Sequence, residues 1–597
     1  MPYERRQNLA VIDLQKNAKN LLSNFKDKQA LGPFWASDNR VLFFVDDDGK
    51  EEYQIYAVDP DGSDPTNLGY ANVAFLRRLH DDPKHILVQA YVRQKESWEV
   101  GKLDLSNGKI TSIVAHAPPQ APVSSFVIDH ANQVRFAIAH DDGAKLTKIL
   151  YRDKNGQEWQ EVASFPYDAA GWSPIEFDGD NRTVFVASNL GRKTRAIYRF
   201  DTVTKQLGEL VFGDDTYDVD TVIYDEFKQK VVGIEYEADR RRFHWLDEEM
   251  QQIHLRLEQA LPDTVHQPVQ FAEDGSKIIF YSYSDRDPGV YYVYDRKHQK
   301  VSELAVIKPK IDPAQMAPMK PVSYAARDGL TIHGYLTVPV GRDPKNLPLI
   351  IHPHGGPYGP RDVWGYDPEV QFYANRGFAV LQVNYRGSGG YGPGFESAGY
   401  KKWGLEMQDD LTDGVKWAVA QGLADPKRVV ISGASYGGYA TMAGLVYTPE
   451  LYCAGINYVG VVDIANLIPK TIPARKMHWT YTRLGDLGRS EDRKRIHDTS
   501  PVYFADRIQA PLLMAYGKND PRVPRAQADD IASAMKKADK PYELMIVGDE
   551  GHGFHKEENS IAFYTRVDVF LKKFVLNQPA VVDASPAQQN PQPAKTD

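Results

Sequence analysis

Arg428-Val429-Val430-Ile431-Ser432 runs directly into Gly433-Ala434-Ser435-Tyr436-Gly437-Gly438, and this junction decides how the C-terminal half folds. The apolar, β-branched run reads as a buried strand, and the Gly-x-Ser-x-Gly after it reads as a sharp turn into a helix. Strand, turn and helix in that order lift a serine hydroxyl above the edge of a sheet, with the helix N-terminus aimed at developing negative charge. In any other setting the motif is an ordinary turn serine; here Ser435 is the candidate nucleophile. Around it, apolar strands at 347–352, 378–383, 429–432, 454–458, 512–516 and 544–547 alternate with helical segments at 405–420, 436–447, 525–538 and 560–576. That alternation predicts a doubly wound, mostly parallel sheet whose chemistry gathers at the carboxyl ends of its strands.

A serine nucleophile needs a base, and in a sheet of the α/β-hydrolase type the partners follow in the order Ser, Asp, His. The strand 512–516 ends in Gly517-Lys518-Asn519-Asp520, which makes Asp520 the candidate acid. Asp506 precedes its strand, and Asp549 shares a loop with the candidate histidine. The strand 544–547 runs into Gly548-Asp549-Glu550-Gly551-His552-Gly553-Phe554, so His552 is the candidate base, with His555 its rival. His478 and His497 break the order. His354-Gly355-Gly356-Pro357, just past the strand 347–352, has the place of an oxyanion loop, with the backbone N–H groups of Gly356 and Tyr436 as the donor pair. The triad supplies nucleophile, base and electrostatics, so neither cofactor nor metal is called for.

The first half has another rhythm. Short strands end in aspartate at Asp13, Asp59, Asp104, Asp153, Asp201, Asp247 and Asp295, a period of about 47 residues, with Gly- or Asn-rich turns such as Asp61-Gly62 and Asn107-Gly108 after several. About four short strands per repeat is the spacing of an all-β propeller, and seven markers predict seven blades. Only twelve residues precede Asp13, so the first blade is expected to be incomplete at the N-terminus. The expected organisation is a propeller over 1–312, a Pro- and Met-containing linker to Pro321 opening a hydrolase domain over 313–577, and a disordered, Pro-, Ala- and Gln-rich tail over 578–597.

Composition is that of a globular chain: 42% hydrophobic and 25% charged over 597 residues, net charge −9. With no recurring basic tract, nucleic acid is not an expected partner, and no apolar run approaches a membrane span. No signal peptide is visible, so the chain as it stands reads as soluble and cytoplasmic, or periplasmic or secreted if a leader has been removed. The single cysteine, Cys453, sits in an apolar run and reads as a buried structural thiol.

The motifs His354-Gly355-Gly356-Pro357, Asn384-Tyr385-Arg386-Gly387-Ser388, Trp403-Gly404, Gly433 to Gly438 and Asp549 to Phe554 resemble the prolyl oligopeptidase family of serine peptidases, and the first resembles its acylaminoacyl-peptidase branch. The resemblance implies a propeller-gated cavity admitting short peptides (oligopeptidase, acylaminoacyl-peptidase or dipeptidyl-peptidase-like), an acyl-enzyme on Ser435, and homo-oligomers in some relatives. It implies two backbone oxyanion donors rather than a tyrosine hydroxyl. It also implies a carbonyl-gripping arginine, left open among Arg475, Arg483 and Arg489. Tyr516-Gly517 stands where relatives usually have His-Gly, a change of packing. Glu51-Glu52 reads as a solvated hairpin rather than a clamp for a free amino terminus. An esterase behind the same propeller is the alternative, and an inactive binding protein a more distant one.

Overall fold

The computed structural model describes the chain except for residues 1, 4–5, 15, 17, 47–48, 71–72, 93–96, 119–120, 469–473 and 579–597, and the side chains at 2–3, 70 and 474–477. The tail expected over 578–597 therefore lies almost wholly outside the described residues.

Six antiparallel blades occupy the first half, not seven. Five have four strands, from Ala30–Ser37 in the first to Lys300–Val306 in the sixth; the fifth has three, Thr221–Asp225, Lys230–Glu237 and Arg241–Trp245. The first blade is complete. At the end of the third strand in three blades the aspartate closes an Asx turn: Asp104 accepts from the N–H of Ser106 (2.8 Å), Asp201 from those of Val203 and Thr204 (2.8 and 2.9 Å) and Asp295 from that of His298 (2.9 Å), while Asp59 takes Arg40 and Asp153 the Tyr151 hydroxyl. In the fifth blade the same chemistry caps a helix instead. Asp247 accepts the N–H of Met250 (3.1 Å) at the start of Glu248–Ala260, which stands where a fourth strand would be.

Asp13 misled the count because it ends a strand of another kind. Among the described residues Ala10–Asp13 pairs only with Ala18–Leu21, whose side chains are all exposed, and the flanking Leu9 and Leu22 pack on Val41, Phe43 and Val58 of the first blade. Among the blades, Arg78 of the second pairs with Asp38 of the first and Glu273 of the sixth (2.9 Å), and Arg77 lies 3.8 Å from Glu176 of the fourth.

The second half is one eight-stranded sheet: β1 (Met319–Ala325), β2 (Thr331–Thr337), β3 (Leu347–Pro353), β4 (Ala379–Asn384), β5 (Ala424–Ala434), β6 (Ala454–Tyr458), β7 (Leu512–Gly517) and β8 (Tyr542–Val547), in the order β1-β2-β4-β3-β5-β6-β7-β8. From β4 to β8 the pairing is parallel; β1 and β2 run antiparallel at one edge. The expected linker is thus partly strand: Met319 and Pro321 lie in β1, an edge position that tolerates proline.

Alternate residues face opposite layers. Leu349 and Ile351 of β3 join Leu381, Val429 and Ile431 against the helices Glu406–Ala420 and Tyr436–Tyr447, while Ile350 joins Val380, Val430 and Leu513 against Phe563 and Phe570 of Glu557–Phe574. Cys453 is half-buried, and burial pushes its thiol up to about 11. No helix among the described residues is long and apolar enough to cross a membrane.

Two propeller imidazoles are held neutral. His266 is fully buried, with Nδ1 2.8 Å from Ser282 Oγ, and His254 is nearly so; burial lowers each to about 4. A base whose folded pKa lies below its unfolded value of about 6.5 stabilises the fold above that pH and loses the contribution as pH falls toward 4. Each imidazole should therefore cost up to about 1.4 kcal/mol per pH unit below about 6.5. Thermal unfolding between pH 7 and 4.5 should show a falling melting temperature, with a shallower slope in His254→Phe; an identical slope would count against the buried-neutral assignment.

Candidate active site

Ser435 follows β5 directly and has φ 59° and ψ −118°, a conformation that costs a residue with a Cβ about 1–3 kcal/mol and persists only where its surroundings hold it. Its N–H donates to the carbonyl of Tyr458 at the end of β6 (3.0 Å). The flanking glycines relieve a different crowding. A Cβ on Gly437 would lie 2.1 Å from the Pro353 carbonyl oxygen, and one on Gly433 would lie 2.7 Å from it. Glycine at these positions thus supplies room, letting the helix start and the end of β3 touch backbone to backbone, while the strained angle belongs to the serine.

Asp520 leaves the end of β7 with its carboxylate fully buried. Oδ1 accepts the N–H groups of Arg522 and Val523, both at 2.8 Å, and Oδ2 lies 2.7 Å from His552 Nδ1. An ionised carboxylate only accepts, so Nδ1 carries the proton and Nε2 is left as the basic nitrogen.

The loop bearing His552 is braced by Glu550, which sequence reasoning missed. Its buried carboxylate accepts from the N–H groups of His555 (2.9 Å) and Lys556 (2.8 Å) and from Asn559 Nδ2 (2.9 Å), and its carbonyl accepts the N–H of Asn519 in the aspartate loop (2.9 Å). The available signal was a carboxylate inside a glycine-rich loop just before a helix, where unpaired N–H groups collect. Tyr458 brings the serine and this loop together: its carbonyl takes the Ser435 N–H, its hydroxyl takes the Phe554 N–H, and its ring stacks on Phe563 at 4.5 Å.

The rival residues lie elsewhere. Asp506 sits in the turn before β7, Asp549 is paired with Lys556 (2.8 Å), His555 has an exposed side chain, His497 stacks on Tyr503, and His478 lies 3.8 Å from Asp168. Tyr516 is wholly buried, accepting from Asn457 Nδ2 (3.0 Å) and donating to the Gly460 carbonyl (2.9 Å), a packing role.

Gly355 lies against Ser435, where an added Cβ would be 3.4 Å from the serine's own, and Gly356 next to it has φ 126°. His354 anchors this loop from below. Its ring stacks on Tyr385 at 4.4 Å, Nε2 is 2.8 Å from Ser388 Oγ, and burial lowers its pKa to about 4. Arg386 beneath is buried between Asp410 (2.8 Å) and Asp328 (2.7 Å). The Asn384 to Ser388 motif is scaffold for the loop that carries Gly355 and Gly356.

Tyr358, two residues past Gly356, packs edge-on against Tyr400 in the wall of a cavity of about 630 Å³ between the third and fourth blades and the hydrolase half. Asp142, Asp168, Glu396, Arg195, Arg483 and Trp479 are in that wall. Of the three open arginines, Arg483 faces this cavity, 3.3 Å from Glu396; Arg489 is exposed beside Asp486; the Arg475 side chain lies outside the described residues. Glu51 departs from the solvated reading, lying 2.7 Å from Arg522. Among the described residues one trio, His80, Glu226 and Glu273, has ligand atoms spaced for a metal, but all three are exposed propeller residues, and Arg78 already pairs with Glu273.

The sequence profile of the prolyl oligopeptidase family matches residues 364–578. Dipeptidyl aminopeptidase BIII of Pseudoxanthomonas mexicana is 33% identical over 553 residues, covering 90% of this chain and 79% of that enzyme. The acylamino-acid-releasing enzyme of Rattus norvegicus is 31% identical over 227 residues, 36% of this chain and 30% of that enzyme. A solved prolyl endopeptidase shares the fold with TM-score 0.76 and 17% identity, over 94% of this chain and 85% of its own. With the Pseudoxanthomonas mexicana enzyme 33% identical along most of both chains, the protein belongs to the prolyl oligopeptidase family of serine peptidases.

Proposed function

We propose that the protein hydrolyses short peptides through Ser435, His552 and Asp520, and the observation that carries this is the 2.7 Å contact between His552 Nδ1 and the buried Asp520 carboxylate, in a loop that Tyr458 ties to the strained Ser435 through its carbonyl and hydroxyl. His552 Nε2 takes the Ser435 proton as Oγ attacks the scissile carbonyl, and passes it to the leaving amine; water then releases the acyl group from Ser435 by the same steps in reverse roles. Asp520 fixes the tautomer and stabilises the imidazolium. The N–H groups of Gly356 and Tyr436 receive the oxyanion, each donor contributing about 3 kcal/mol. The Tyr436 donor opens the helix Tyr436–Tyr447, whose first N–H groups have no partner within the helix.

Short peptides are favoured because the cavity whose wall residues Tyr400 and Arg483 touch Tyr358, two residues past Gly356, has a volume suited to a few residues and carries both carboxylates and arginines for a peptide's polar ends. A small ester has no use for such walls, which weighs against the esterase reading. Peptide p-nitroanilides should be turned over; hydrolysis of short nitrophenyl esters without any peptide turnover would reverse that choice.

Ser435→Ala should abolish labelling by a fluorophosphonate and lower kcat by about five to six orders of magnitude, while Asp520→Asn should lower it by about four. Retained labelling in Ser435→Ala would reject the assignment. Gly437→Ala should drive a methyl into the Pro353 carbonyl and lower kcat at least tenfold by displacing the helix start, measured on the soluble fraction of the variant.

A further inference from the structure

The hairpin around Glu51 in the first blade touches both loops assigned to the acid and the base. Glu51 pairs with Arg522 (2.7 Å), and the N–H of the same arginine donates to Asp520 Oδ1 (2.8 Å), the oxygen next to the one that faces His552. Gly49 lies against Gly551, the residue before His552, so closely that a Cβ on Gly551 would be 1.7 Å from the Gly49 carbonyl oxygen. Two further contacts brace the same side: Gln29 Nε2 donates to the His555 carbonyl (2.5 Å), and Arg6 forks onto Glu558 (2.7 and 2.9 Å). Glu51 itself has φ 58°, a left-handed conformation that its pairing helps to hold.

We infer that Glu51 is a positioning residue for catalysis: through Arg522, with Gly49 against Gly551, the seated propeller holds the aspartate and histidine loops in register with Ser435. This rests on the triad proposed above. Lifting the hairpin withdraws the restraint on Arg522, hence on the donor to Asp520, and removes the stop against the histidine loop. The propeller then acts on the turnover step as well as on access. The Arg522 side chain is 63% exposed, so the pair is screened by salt.

The test compares wild type, Glu51→Gln, Arg522→Gln and the charge swap Glu51→Arg with Arg522→Glu, using a short-alkyl fluorophosphonate small enough not to need an open interface. Each single variant should lose about two- to fivefold in labelling rate and in kcat, with KM within twofold, the factor an exposed pair supports. The swap should recover most of it. Raising NaCl to about 1 M should bring wild type toward Glu51→Gln and leave that variant almost unchanged. Labelling at the wild-type rate in Glu51→Gln, a change confined to KM, or a swap without recovery would overturn the inference. Should one variant misfold, the salt titration of wild type against the other decides. Labelling that survives Ser435→Ala would sink the triad instead, so the two failures are separable.

Discussion

The backbone contact between Gly437 and the Pro353 carbonyl leaves no room for a side chain, and the rest of the site is arranged around it. It sets the helix Tyr436–Tyr447 directly on the end of β3, so that one step of chain on either side delivers the serine from β5 and the glycine loop after β3 to the same point. Parallel strands make this possible, since β3, β5, β7 and β8 all end at one edge. The strain at Ser435 is what that arrangement costs, and the Tyr458 carbonyl, by taking the serine N–H, fixes the turn in the strained form.

Buried carboxylates at this edge are tolerated because each is fully committed. An unpaired ionised carboxylate would cost several kcal/mol, more than a marginally stable domain can spare. Asp520 meets two backbone N–H groups and an imidazole; Glu550 meets two backbone N–H groups and an amide; Asp410 meets the fork and backbone N–H of Arg386. Directional bonds fix orientation as well as energy. Glu550 therefore determines where the chain of the histidine loop runs, and Asp520 determines how the ring turns once it is there.

Local chemistry was readable from sequence and long-range partnership was not. The strand–turn–helix at Ser435, the strand ends before Asp520 and His552, and all six parallel or core strands announce themselves by apolar runs and glycines. The aspartate rhythm was also real, since an aspartate ends or follows the third strand of each blade and closes an Asx turn there at Asp104, Asp201 and Asp295. The same turn chemistry ends the Ala10–Asp13 hairpin and caps the helix at Asp247, so counting aspartates counts turns and overstates blades by one. The β1–β2 hairpin was hidden by Pro321 and by its exposed alternation. Nothing near Glu51 in the chain hints at Arg522, 471 residues away, and a carboxylate in a hairpin looks solvated until its partner is known.

The two sides of the interface between propeller and hydrolase are built of different materials. Toward the fourth to sixth blades, buried groups lock the halves together: Asp218 receives the Gly392 N–H and gives its own N–H to the Gly390 carbonyl, Asp285 receives the Met319 N–H, and Arg240 lies over the buried ring of Trp364 at 4.2 Å. Separating such groups leaves buried donors and acceptors unpaired, about 1–3 kcal/mol each. Toward the first blade the charged contacts are partly exposed pairs, Arg6 with Glu558 and Glu51 with Arg522, each worth about 0–1 kcal/mol. The interface is therefore cheapest to part on the side where the aspartate and histidine loops lie. With the triad as proposed, a separation that begins there would draw Glu51 off Arg522 and Gly49 off Gly551, loosening those two loops while the buried contacts on the opposite side still hold.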